Sequence, residues 1–143
     1  AEGLLMKPVV QLERTGCGIA AVAVIAGVSY QQAQRTANQL GIYATDRRLW
    51  SETTYVRRLL RKYCLRTAST EQPFRSWSSL PNLALLAIKW HREQGRPCWH
   101  WVVFVRDSEG ERVLDSKRSL KSHIRRDFGR MKPKWYLAVK KRP

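Results

Sequence analysis

The sequence predicts an α+β domain, with helices from the first half packed on an antiparallel sheet built by the second. Three observations carry this expectation. Gly18 to Ala26 is apolar and Ala-rich on every side, the pattern of a short buried helix. Two more helical patterns, each with a plausible start, follow before Tyr63. Beyond Leu83 the chain becomes β-branched and aromatic, broken by turn residues. Helices first and strands after them is the order of an α+β fold.

Taken in order, the first helix ends at Gly27 and Val28. Ser29 opens the second, with Gln32 three positions on completing a capping box. Ala33, Ala37 and Leu40 give that helix a small apolar face, and Gly41 stops it. The third begins at Ser51 or Thr53 and buries Tyr55, Val56, Leu59, Leu60 and Tyr63, leaving Arg57, Arg58, Arg61 and Lys62 wet. Leu83 to Trp90 reads equally as a buried strand or a short helix. Gln94 to Pro97 is a turn, Trp101 to Val105 a strand, Asp107 to Gly110 a second turn, and Arg112 to Leu114 the returning strand. Ser119 to Phe128 is expected to be a further short helix, and Trp135 to Val139 a closing strand.

A length of 143 residues suits one domain, 1–143, with a core from about 8 to 140. Its 43% hydrophobic content excludes overall disorder. The run Gly18 to Val28 is about half the ~20 residues a membrane span needs, so no transmembrane segment is expected. The chain begins with Ala1, as a processed product or an excised domain does, and its setting is read as cytoplasmic or as part of a larger secreted or membrane protein. Net charge is +16, and the segment 116–143 holds eleven basic residues against one acid, Asp127. Such a surface attracts an acidic protein partner or inhibitor, an anionic membrane, or nucleic acid. No zinc finger or RRM-like aromatic pair is present to read the last of these. Three cysteines, Cys17, Cys64 and Cys98, leave at least one thiol free. None stands in a metal-ligand spacing, so neither a metal nor a cofactor is implied.

Cys17 is the candidate nucleophile. It stands between Gly16 and Gly18 at the mouth of the buried helix, where unpaired N–H groups and the positive dipole end favour a thiolate and the glycines leave room for a substrate backbone. His100 is the candidate base, held at the start of the strongest strand. A hairpin loop of even length after that strand sets Val102 or Phe104 opposite Asp115, so Asp115 shares a face with His100 and can orient its ring. An odd loop would turn it away. His91 reads as a surface histidine, His123 is surrounded by cations, and Cys64 and Cys98 read as packing cysteines. The backbone N–H of Cys17 is one oxyanion donor, and Gln11, six residues upstream, is the candidate for the second.

These segments, Gln11-Leu-Glu-Arg-Thr-Gly-Cys17-Gly-Ile-Ala-Ala, His100-Trp-Val-Val-Phe-Val and Val113-Leu-Asp115, resemble the C39-type, bacteriocin-processing peptidases of the papain-like superfamily. The resemblance extends from about Pro8 to Lys140, with Ser51 to Tyr63 similar to that family's third helix and Leu80-Pro81 to its entry into the sheet. It implies a papain-like fold and thiol-dependent cleavage of a peptide bond through an acyl-enzyme. In that scheme Cys17 attacks, His100 serves as base and then acid, Asp115 orients it, and Gln11 stabilises the oxyanion. Members attached to exporters trim leader peptides after a Gly-Gly pair. The chain departs from the pattern at Arg14 and Thr15, at Ser116-Lys117 and in its basic C-terminal segment. A leader-processing enzyme and a secreted effector or toxin protease are both compatible with these residues. So is a papain-like deamidase or transglutaminase acting on a Gln side chain, since the acyl-enzyme is common to both. A binding module for nucleic acid or an acidic protein is the reading of another class.

Overall fold

The computed structural model describes residues 6–141. Helix α1 is Cys17–Ala26, α2 is Tyr30–Gln39 and α3 is Thr54–Lys62, with a 3₁₀ turn at Arg47–Ser51 before α3. Among the described residues, seven strands follow in one antiparallel sheet. They are β1 (Leu65–Thr67), β2 (Gln72–Pro73), β3 (Leu83–Glu93), β4 (Arg96–Asp107), β5 (Gly110–Leu114), β6 (Ile124–Arg125) and β7 (Trp135–Lys141), with a single-turn helix α4 (Phe128–Met131) before the last. Their spatial order is β1-β7-β3-β4-β5-β6, and β2 also pairs with β7. The α+β expectation is met.

Helix α1 is buried from Gly18 to Ile25, which its lack of a polar side required. Gly27 closes it in the left-handed region (φ 73°), and the N–H of Val28 returns to Ala23 in a Schellman-type end. Ser29 and Gln32 form the reciprocal capping box on α2. The helices pack on one face of the sheet, burying Leu85, Trp101, Val103 and Leu137 against Ile19, Val22, Val56 and Leu59. A second apolar cluster, with Leu86, Ile88, Val102 and Phe104 at its centre, covers the opposite face. Burial on both faces explains why Leu83 to Trp90 shows no alternation. It is a strand between β4 and β7, not a helix.

Two expectations are corrected. Ser119 to Phe128 is not helical: Ile124–Arg125 forms β6 against Val113 and Leu114, and only Phe128–Met131 makes a helical turn. Pairing to the free edge of β5 recruits that segment, and its N–H and C=O groups find sheet partners instead of helical ones. Cys64 is not a packing residue either. It is exposed just past α3, with φ 61°. The basic segment is no appendage, because its last strand, β7, lies between β1 and β3. No helix of the described residues is long and apolar enough to cross a membrane.

Candidate active site

Cys17 is the first residue of α1, so its N–H belongs to the set that has no partner within the helix. The flanking glycines are fixed by packing. A methyl group at Gly16 would overlap the Tyr30 hydroxyl, and one at Gly18 would overlap that of Tyr55. The Tyr30 hydroxyl in turn donates to Glu13 Oε1 at 2.6 Å, tying α2 to the loop that leads into Cys17. Burial, aided by Glu13, pushes the Tyr30 phenol far up, and burial does the same to Tyr55. Both rings stay neutral beside the sulfur. The room expected for substrate beside Gly16 and Gly18 is taken by Tyr30 and Tyr55.

His100 lies on β4 directly across from Ile88 of β3. Its Nε2 donates to Asp115 Oδ1 at 2.7 Å, and the ring shares the cleft with the Cys17 sulfur, whose presence raises the imidazole's pKa. The hairpin loop is Ser108-Glu109, with Asp107 paired to Gly110 and Val103 to Leu114. One step further along that register sets Asp115 beside Val102, on the face of His100. This is the even-loop geometry. The β4–β5 ladder ends at Val103 and Leu114, and the N–H of Trp101 donates to Cys17 Sγ at 3.5 Å.

Asp115 is closed off from solvent and bonded on both oxygens. Oδ1 accepts from His100 and from the N–H of Lys117 at 3.1 Å, and Oδ2 accepts from Arg125 Nη1 at 2.9 Å. Burial works against its charge, yet the bonds from His100, Lys117 and Arg125 win and hold its pKa at about 2. Burial likewise opposes charge on His100, but Asp115 and Cys17 together raise its pKa to about 9. The imidazole is therefore charged at neutral pH. Arg125 is held by Asp127 as well, at 2.7 and 3.0 Å, which aligns it on Asp115. No sequence signal marks this role, since Arg125 stands among many basic residues. Its position on β6, across from Val113, is what brings it to the acid.

Gln11 is buried but does not line the cleft. Its Nε2 donates to the carbonyls of Glu13 (3.0 Å) and Arg14 (2.8 Å), and its Oε1 accepts from Ser116 Oγ at 2.8 Å. With the bond from Gln11 N–H to the Ser116 carbonyl, it splices the N-terminal segment to the Asp115 loop. Both amide hydrogens are engaged, so donation to an oxyanion requires one of them to be exchanged. The structure thus brings Cys17, His100 and Asp115 together in a line, with Gln11 beneath the loop before Cys17.

A cleft of about 400 Å³ opens over Cys17 and His100, walled by Trp50, Tyr55, Trp99 and Trp101 and edged by Arg14 and Cys98. Trp50 comes from the 3₁₀ turn, and no periodic signal marked it in the sequence. Cys98, read as a packing residue, is half-exposed at the edge of this cleft.

No protein-family profile matches the chain, and no curated protein matches it in sequence. Among solved structures, it is similar to the crystal structure of a double glycine motif protease from an AMS/PCAT transporter in complex with the leader peptide. The TM-score is 0.60, covering 95% of this chain and 91% of that one at 16% identity. The fold is that of a C39-type peptidase. In this fold Cys17 heads the buried helix α1 and His100 stands on β4.

Proposed function

We propose that this chain is a cysteine peptidase that hydrolyses a peptide bond through a thioester at Cys17. The observation that carries the reading is the grouping of Cys17, His100 and Asp115, in which the imidazole sits with the Cys17 sulfur at one cleft and bonds a buried carboxylate at 2.7 Å. His100 is the group that holds the proton while the Cys17 sulfur attacks the carbonyl. His100 gives its proton to the leaving amine as the C–N bond breaks and the thioester remains. It then takes a proton from water, whose oxygen displaces the sulfur, and the resting pair is restored with release of the carboxylic acid. Asp115 fixes the ring through both steps. The Cys17 N–H and the Gln11 amide, released from the Glu13 or Arg14 carbonyl, hold the oxyanion.

The structural neighbour's leader peptide points to the same class of substrate here: an extended peptide laid along the tryptophan-walled cleft and cut after small residues. Mass spectrometry of leader-type peptides incubated with the protein tests this. Two fragments whose appearance depends on Cys17 are expected. An intact peptide heavier by about one mass unit would instead identify Gln deamidation by the same thioester. Unaltered peptides together with salt-sensitive nucleic-acid binding that survives Cys17→Ala would favour the binding module.

A further inference from the structure

His91, Glu93 and Cys98 stand outside the catalytic line, yet all three border the same cleft. A β-bulge between Ile88 and His91 shifts the β3–β4 register and sets His91 directly opposite Cys98, with Glu93 two residues along. The His91 Nε2, a Glu93 carboxylate oxygen and the Cys98 sulfur all lie within 4.8 Å of one another. Ligands about 2.0–2.3 Å from a tetrahedral ion are roughly 3.3–3.8 Å apart, so small rotations of these side chains close the gap. Glu93 Oε1 and His91 Nε2 are already 3.0 Å apart, sharing a proton where an ion could sit.

The His91 ring is oriented as a metal ligand is. Its Nδ1 donates to the carbonyl of Lys89 at 2.8 Å, which commits Nε2 to the cluster. A backbone carbonyl on the far nitrogen is the usual outer partner of a metal-bound histidine. The bulge supplies it: Lys89 adopts φ 55°, a costly conformation for a residue with a side chain. Charge is matched too, since one thiolate and one carboxylate neutralise a divalent ion in an otherwise basic surface. The donor set of one imidazole, one thiolate and one carboxylate suits a borderline-soft cation and would exclude calcium or magnesium.

We propose that His91, Glu93 and Cys98 bind a zinc-class divalent cation at the edge of the catalytic cleft, leaving its fourth position open toward that cleft. The ion displaces the proton between His91 and Glu93 and the proton of the Cys98 thiol. This site goes beyond the peptidase reading and holds whatever Cys17 acts on.

The test uses the Cys17→Ala protein, so that the catalytic pair cannot supply a thiolate. Titration with Zn²⁺ by calorimetry is expected to give one ion per chain. Co²⁺ in its place is expected to show a thiolate-to-cobalt charge-transfer band. His91→Ala, Glu93→Gln and Cys98→Ser should each weaken binding by at least the roughly 10–100-fold that loss of an outer partner costs. Cys64→Ser, distant in the fold, should bind as before. Absence of the cobalt band, or affinity unchanged by Cys98→Ser, would overturn the site. So would binding seen in the wild type and abolished by Cys17→Ala alone, because the ion would then belong to the catalytic pair.

Discussion

The β3–β4 hairpin carries two histidines, each bonded to a carboxylate, and they differ in almost everything but that bond. His100 donates to Asp115 at 2.7 Å with side-chain exposures of 15% and 0%. His91 bonds Glu93 at 3.0 Å with exposures of 50% and 61%. The inner carboxylate also accepts from the N–H of Lys117 and from Arg125, whereas among the described residues the outer one has only its bond to His91. The lesson is that a His–carboxylate pair becomes catalytic machinery through the enclosure around it. Exposed, the same pair is free to exchange its proton for an ion.

The comparison is tested most severely at its inner end. His100→Ala is expected to lower kcat/KM by at least about 10²–10⁴-fold, the range for a positioned acid–base group, as read by peptide turnover. Gln11→Ala is expected to cost roughly 10²–10³ in kcat while leaving alkylation of Cys17 nearly intact, if its amide serves the oxyanion. A parallel fall in both would show that Gln11 acts only as a brace of the loop. Arg125→Ala should have a smaller effect on turnover and should raise the Asp115 pKa from about 2, because it removes one of the bonds that hold the charge. Carboxyl titration by NMR checks this.

Acid–base behaviour gives a graded prediction. His100 has a folded pKa of about 9 against 6.5 in the free side chain, so its contribution to stability is complete below about 6.5 and is lost as pH rises through about 9. Asp115, at about 2 against 3.8, contributes fully above about 3.8 and loses that contribution as pH falls through about 2. Turnover should show an alkaline limb near pH 9, and Cys17→Ala should lower the His100 pKa by removing the sulfur that helps raise it. The smallest effect is expected in a stability measurement at Gly18. Gly18→Ala drives a methyl group into Tyr55 and should cost about 1–3 kcal/mol in thermal unfolding.

The helical half was the more legible of the two regions. The capping box at Ser29 and Gln32, the all-apolar α1 and the 3.6-residue spacing of α3 are local signals, and the structure follows them. In the sheet, the loop Ser108-Glu109 made the Asp115 register decidable because side-chain alternation propagates from one turn. The edge strands β1, β2 and β6 were not visible, since pieces of two or three residues carry no periodicity. Arg125 and the 119–128 segment were missed together, for the β5 edge decides both. The bulge at Lys89 was hidden as well. It is the unequal residue count between paired strands that brings His91 to Cys98, and sequence spacing alone made them unrelated.

The most direct test of the Cys17–His100 pair is the rate at which iodoacetamide alkylates Cys17 at neutral pH, mapped by peptide mass so that Cys64 and Cys98 are scored apart. The wild-type sulfur is expected to react at least tenfold faster than in His100→Ala, because the imidazolium that stabilises its charge is gone. Equal rates in the two proteins, with the fold intact, would contradict the pair and the catalytic account built on it.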